Sequence, residues 1–339
     1  MEFSAPYFLF LGDARDPLSV KTSRGIADWR PDKCIGEISM PDCPLTLGLP
    51  QITFAEAAAK GAKTFVLGLA NRGGFIAPEW VPYLMEALAH GMDIASGLHG
   101  KVADIPEVKQ LADKLGRRIF DVRHPTGTLD VGSGRKRAGK RILAVGTDCS
   151  VGKMYTTLAI ESELKVRGEK TDFRATGQTG ILINGQGISV DAVVADFISG
   201  AVEMLSPAND PDHWDVIEGQ GSLFHPSYAG VSLGLLHGSQ ADVLILCHQV
   251  GRTHVRKLEE LPLPDFKSCI ETNLAAARLT NPDVIWGGIS VNSSALGEEE
   301  ALEYCREMSA LHNVPCVDPV RHGTAALVDY ILEHKGTTA

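Results

Sequence analysis

A chain of 339 residues exceeds one average domain, and 44% hydrophobic with 22% charged residues is the composition of a globular protein with large cores. A formal net charge of −10 gives no basic face for displacing counterions from phosphates, which argues against nucleic acid as a main partner. Seven cysteines without a C-x-x-C pair are neither a disulfide framework nor a zinc site, and no apolar run reaches the length of a membrane span or signal core. The expectation is a cytoplasmic protein without a membrane partner, assembled as a homo-oligomer.

In chain order, Tyr7-Phe8-Leu9-Phe10-Leu11 reads as a buried strand ending at Gly12-Asp13. A helix from Phe54 to Lys60 leads to a second strand, Thr64 to Leu69, which ends in Asn71-Arg72-Gly73-Gly74. Pro78 sits where proline suits a helix start, and the helix runs from Glu79 to His90. Ile94-Ala95, the helix Pro106 to Leu115 and the strand Arg118 to Val122 complete the set. Apolar runs separated by amphipathic helices predict βαβ units and a parallel sheet covered on both faces. Residues 1–123 are therefore expected to form a Rossmann-like α/β domain, although no G-x-G-x-x-G supports dinucleotide binding there.

Residues 124–140 are rich in Gly, Pro, Thr and basic side chains and read as a linker. The basic cluster Arg135, Lys136, Arg137, Lys140 and Arg141 reads as a solvated part of it rather than a nucleic-acid patch. The α/β pattern restarts at Arg141-Ile142-Leu143-Ala144-Val145, so 141–339 is expected to be a P-loop NTPase-like parallel-sheet domain. Its helices fall at about 152–167, 191–205, 267–278, 297–311 and 324–334, and its later strands near 171–175, 215–218, 242–247, 284–291 and 314–317.

Directly after the strand at 141–145 comes Gly146-Thr147-Asp148-Cys149-Ser150-Val151-Gly152-Lys153, opening a helix that continues through Met154 and Tyr155. Glycines let backbone N–H groups turn inward around phosphate oxygens, the helix N-terminus adds a favourable dipole, and Lys153 supplies a point charge. Met154 stands where Ser or Thr normally ligates Mg²⁺. A thioether cannot replace a hydroxyl for a hard cation, and Thr156 and Thr157 project in other directions from a helix. The loop is expected to hold phosphate well and catalytic Mg²⁺ poorly, with no tightly bound metal.

Asp215-Val216-Ile217-Glu218-Gly219-Gln220-Gly221-Ser222 reads as a strand ending in an acid and a flexible loop. Ligands bind at the carboxyl edge of such sheets, where Glu218 could orient water or act as a base; otherwise it is a strand end whose glycines turn the chain. His225 in the same loop is either structural or a proton acceptor near neutral pH. Arg174 closes another strand and could fork onto a carboxylate or phosphate, or be an ordinary salt-bridge partner. Asn292 and Pro319 end the last two strands, positions that hold adenine in related P-loop folds. In the first domain, the loops carrying Asn71-Arg72 and His99 follow strands and point to a substrate pocket facing the P-loop domain.

The loop at 146–153 resembles that of dethiobiotin-synthetase-like P-loop proteins. Together with Arg174-Ala175-Thr176-Gly177-Gln178-Thr179-Gly180, Asp191-Ala192-Val193-Val194-Ala195-Asp196-Phe197 and Glu218-Gly219-Gln220-Gly221-Ser222-Leu223-Phe224-His225-Pro226, the chain resembles the DgcN family over nearly its full length. That resemblance implies acetyl transfer from acetyl-CoA to the amino group of D-glutamate, in amino-acid catabolism. A P-loop can cradle the coenzyme's pyrophosphate without metal catalysis, which agrees with Met154. Glu218 and His225 are then the candidate bases, backbone N–H groups of 219–221 the candidate oxyanion donors, and Arg72, His99 and Arg174 the candidate substrate contacts. The competing readings are a Mg-ATP-dependent kinase or ligase acting on a small carboxylate, and a nucleotide sensor without chemistry.

Overall fold

The computed structural model describes residues 2–71 and 73–336. The chain divides into two compact units, one running to Thr126 together with Gly177–Ala192, the other comprising Gly127–Thr176 and Val193 onward. The second half of the sequence thus lends a short segment, 177–192, to the first unit, a detour absent from the boundaries read at 123 and 141.

The first unit runs β1 (Tyr7–Phe10), α1 (Lys21–Trp29), β2 (Cys34–Ile38), α2 (Phe54–Ala59), β3 (Thr64–Leu67), α3 (Val81–Ala89), β4 (Asp93–Ser96), α4 (Pro106–Leu115) and β5 (Ile119–Asp121). Its five strands lie in the order β2-β1-β3-β4-β5 and pair in parallel throughout. That order is doubly wound, with the winding reversing between β1 and β3. The apolar run of β1 is buried on both faces, and Phe8 and Phe10 pack with Phe54, Phe65, Trp80 and Tyr83. Local rules set the helix ends: Thr53 and Glu56 form a capping box on α2, and Gly116 closes α4 at φ +64°.

The second unit runs β6 (Lys140–Gly146), α5 (Lys153–Val166) and β7 (Thr171–Arg174). After α6 (Gln178–Asn184), which belongs to the first unit, it resumes with α7 (Ile198–Leu205), β8 (Trp214–Ile217), α8 (Ala229–Ser239) and β9 (Val243–Gln249). A hairpin follows, β10 (His254–Val255) and β11 (Leu258–Pro262), then α9 (Phe266–Arg278), β12 (Ile285–Asn292), α10 (Glu298–His312), β13 (Cys316–Val317) and α11 (Ala325–Lys335). Six strands pair in parallel in the order β13-β12-β9-β6-β8-β7. One core joins Ile142, Val216 and Val243 to α5 and α11 through Ile160, Leu164 and Ile331; another joins Ile289 and Val291 to Cys305 on α10. Among the described residues no helix is long and apolar enough to cross a membrane.

Several elements depart from the sequence reading. The edge strand β2, the helices α1, α6 and α8, and the hairpin β10–β11 were not expected, and the helix expected at 191–205 is two 3-10 turns followed by α7 from Ile198. The basic stretch is solvated only in part: Arg135 and Lys136 are exposed, but its later arginines are not. Arg141 is fully buried, and its guanidinium donates to Ser206 Oγ (2.9 Å) and to the carbonyls of Arg137, Ala138, Gly139 and Pro207 at 3.0–3.2 Å. Arg137 donates in turn to Gly238 O (2.6 Å) and Ser239 O (3.0 Å).

Arg141→Met leaves those carbonyls buried without donors, so it is expected to lower the unfolding free energy by about 3 kcal/mol or more. Arg141→Lys recovers little, because one ammonium cannot reproduce the planar fork. Urea denaturation reads this directly, and a loss below about 1 kcal/mol is what a surface arginine would give.

Candidate functional site

Parallel pairing sets the carboxyl ends of the strands along one edge of the second sheet. The loops after β6, β8, β9, β12 and β13 share that edge. The winding reverses at β6, between β8 and β9, which opens a crevice where such sheets bind ligands.

The phosphate loop occupies this crevice. It leaves β6 at Gly146, turns through Ser150 (φ +54°) and Gly152 (φ +104°), and enters α5 at Lys153. A Cβ on Gly146 would lie 2.9 Å from both Asp148 O and Lys153 Nζ, so the position admits only glycine. Lys153 is buried, donates to Asp148 O at 2.8 Å, and has its pKa lowered by burial.

Asp148 is the buried anion of the loop. Its carboxylate accepts from Cys149 N (2.6 Å), Arg252 Nη1 (2.9 Å) and Arg256 N (2.7 Å). Arg252 also donates to Cys149 O at 2.7 Å, and the Arg256 guanidinium donates to Ser150 Oγ. Neither arginine was singled out from sequence. The only signal was three basic residues within 252–257, about a hundred residues from the motif they serve.

Thr147 is tied to β9 through its Oγ1 and His248 Nδ1, 3.0 Å apart. Burial pushes His248 down to about 4, with the Arg252 charge adding to it, so the ring is neutral at neutral pH. Both hydroxyls after Met154 are engaged by helix carbonyls: Thr156 Oγ1 donates to Gly152 O, and Thr157 Oγ1 to Lys153 O, each at 3.0 Å.

Glu218 leaves β8 on the same edge, buried, and accepts from Thr176 N at 2.9 Å. The following loop presses against the phosphate loop. A Cβ on Gly219 would stand 1.7 Å from Ala144 O and 2.9 Å from Lys153 Cδ, and Ser222 Oγ donates to Thr147 O at 3.2 Å. His225 is buried over Tyr228, and its Nδ1 accepts from Ser227 N at 3.2 Å. The side chains of Asp148, Cys149 and His225 offer donor atoms within 4.8 Å of one another. Asp148 is already saturated, however, and Lys153, Arg252 and Arg256 crowd the same loop, a balance of charge that favours an anion over a cation.

A cavity of about 270 Å³ opens beside the start of α5. Gly152, Tyr155, Asn292, Pro319 and Arg321 are among the residues lining it, so the structure joins the loop to the two strand-end positions singled out in the sequence. Asp318 shapes its rim. Burial opposes ionisation of Asp318, but hydrogen bonds from Ser293, Val320 and Arg321 outweigh it and hold the pKa below the usual value.

Arg174 stands apart from the phosphate loop contacts. Its guanidinium is paired with Asp215 at 2.8 Å and Asp172 at 3.2 Å, tying β7 to β8. In the first unit the Asn71 and His99 loops do meet: Gly100 N donates to Gly74 O at 2.8 Å, and a Cβ on Gly74 would lie 2.6 Å from the His99 ring. The Arg123 charge lowers the His99 pKa, burial adds to this, and Asp191, paired with Arg123 at 3.1 Å, opposes it. Arg72 lies outside the described residues.

Residues 130–328 match the P-loop domain, and residues 41–125 the Rossmann-like domain, of a family described as a domain of unknown function, DUF1611. The chain belongs to the DUF1611 family. A crystal structure of a DUF1611 protein from Anabaena variabilis is 32% identical, covers 97% of this chain and all of its own, and superposes with a TM-score of 0.83. Two curated relatives are named D-glutamate N-acetyltransferase. One, from a Pseudoalteromonas species, is 52% identical over 97% of this chain and 99% of its own; the other, from Tritonibacter scottomollicae, is 54% identical over 96% and 97%.

Two outcomes follow from the geometry of this DUF1611 loop. Lys153→Ala is expected to weaken binding of a phosphate-bearing ligand by about 2–3 kcal/mol, the scale of a charged hydrogen bond; calorimetry with CoA measures it, and unchanged affinity would move the phosphates elsewhere. His248 has a folded pKa below its unfolded one, so the stability it contributes is complete above the unfolded value and is lost as pH falls toward about 4. The thermal midpoint should therefore decline through that window, and His248→Gln should flatten the decline.

Proposed function

We infer that this chain is a D-glutamate N-acetyltransferase, and propose acetyl-CoA as its donor. The near full-length identity to two enzymes of that name carries the reading. The intact phosphate loop supports it, since the coenzyme's ADP portion needs a phosphate cradle and an adenine pocket. In this reading the pyrophosphate lies in the loop 146–153, and the adenine lies in the cavity with Tyr155, Asn292 and Pro319.

Acetyl transfer requires a neutral amine to attack the thioester carbonyl, donors for the tetrahedral oxyanion, and departure of the CoA thiolate. Glu218 and His225 are the proposed catalytic pair. Because His225 Nδ1 accepts the Ser227 N–H, its neutral ring carries the proton on Nε2 and is a donor, suited to the oxyanion or the thiolate. The Glu218 carboxylate is then the base for the amine proton. The pantetheine arm, as long as four or five extended residues or about 15 Å, must fold back over the 219–221 loop to bring the thioester there. Arg72 and His99 are proposed to meet the acceptor's carboxylates. Arg174, held by Asp172 and Asp215, is given the place of a positioning residue instead.

The test is release of free CoA thiol across a panel of D- and L-amino acids in the presence of EDTA. D-glutamate is expected to turn over well and L-glutamate poorly. Glu218→Gln should lower kcat about 10²-fold or more, the usual weight of a general base, with a smaller loss for His225→Ala. No thiol release, with Mg²⁺-dependent ATP turnover in its place, would refute the transferase. Losses confined to KM in both variants would make Glu218 and His225 contacts of the arm and not catalysts.

A further inference from the structure

Between β9 and α9 the chain builds β10–β11, the one antiparallel pair among the described strands. Val255 pairs with Leu258, so Arg256 and Lys257 form the tip. Lys257 is held at φ +66°, a left-handed conformation that costs a side-chain-bearing residue energy. Ser150, on the phosphate loop opposite, is held at φ +54°. The two strained positions are joined through one residue: Arg256 N donates to Asp148 Oδ2 at 2.7 Å, and its guanidinium donates to Ser150 Oγ.

The two arginines here differ in how fully they are used. Arg252 is half-buried and meets Asp148, Cys149 O, Ser150 O and Gln249 Oε1, so it builds the loop. Arg256 is exposed, and among the described residues its guanidinium meets only Ser150 Oγ, which leaves most of its five N–H donors for a ligand. In an ordinary phosphate loop Mg²⁺ neutralises the oxygens, held by the hydroxyl that Met154 lacks. A guanidinium at the loop mouth supplies charge and a planar donor fork in one group, without a hydration shell to strip.

We propose that Arg256 is a phosphate-binding residue that takes the metal's place, so that this site selects a diphosphate ester as the free anion rather than its magnesium complex. The proposal deepens the reading above and rests on its placement of a diphosphate in the loop. A backbone anchor on the buried Asp148 fixes the hairpin tip, while the exposed side chain at Ser150 is left to reach the ligand.

Calorimetry with ADP and with CoA, each in EDTA and in Mg²⁺, tests it without any catalytic readout. Wild type is expected to bind both ligands in EDTA, and to bind ADP more weakly where Mg²⁺ draws it into the magnesium complex. Arg256→Gln should bind at least about tenfold more weakly, and Arg256→Lys should fall between, having the charge without the fork. The salt dependence of binding should be shallower in the Gln variant, a change that loss of mere loop support would not bring. Binding that requires Mg²⁺ in wild type, wild-type affinity in Arg256→Gln, or a loss with unaltered salt dependence would each overturn the proposal. A protein that binds CoA in EDTA through Arg256 but moves no acetyl group to D-glutamate would refute the transferase and leave this inference standing.

Discussion

A carboxylate with no exposure to water has to be matched by donors or it works against the fold, and at Asp148 the match is complete. Its donors come from three stretches of chain: the loop itself, the segment after β9, and the tip of the hairpin. One buried charge therefore sets the shape of the phosphate loop, the path of the chain leaving β9, and the place of Arg256. With the carboxylate fixed, the Asp148 carbonyl faces the Lys153 ammonium, and the Gly219 backbone closes against the lysine stem. The anion organises cations around a space in which a second anion can settle.

The parts of this arrangement that were readable from sequence are those in which a local rule and the sheet demand the same residues. Strands covered on both faces must be apolar throughout, so β1, β6 and β9 announce themselves as runs. A strand, a glycine turn, a lysine and a helix coincide at 141–153, and Glu218 and Asn292 follow as strand ends. The readings that stayed open or failed depend on partners distant in sequence. Arg174 looks the same whether it awaits a ligand or faces an acid across the sheet; only the register of β7 on β8 brings it to Asp215. The edge strand β2 holds Gly36 and Glu37, and Glu37 can be buried only because Thr46, Leu47 and Gln51 donate to it at 2.5–2.8 Å.

Two further misreadings have the same cause, a residue type whose average behaviour is reversed by its neighbours. Helix α8 carries Gly230, Gly234 and Gly238, which lower helix propensity. Against α7 two of these are required, since a Cβ at Gly234 would meet Ile198 at 2.6 Å and one at Gly238 would meet Ser199 O at 2.4 Å, while Gly230 faces open space. The end of the basic stretch, where it enters β6, looks solvated because arginines usually are. Arg141 escapes that average by pairing its fork with carbonyl oxygens, a partner class that leaves no mark in a sequence.

The segment 177–192 bears on how the molecule comes into being. The five strands of the first unit have all been synthesised by residue 121, yet that unit still lacks α6, whose Thr179 meets Thr22 of α1 at 3.3 Å and whose Ile183 packs on Gly25. Domains ordinarily fold in turn as the ribosome delivers them, the N-terminal one first. Here the missing helix emerges only after β6, the phosphate loop, α5 and β7 have been made. The first unit thus lacks part of the cover of α1 until residues 177–192 have been made, and it is not finished before the second is under way.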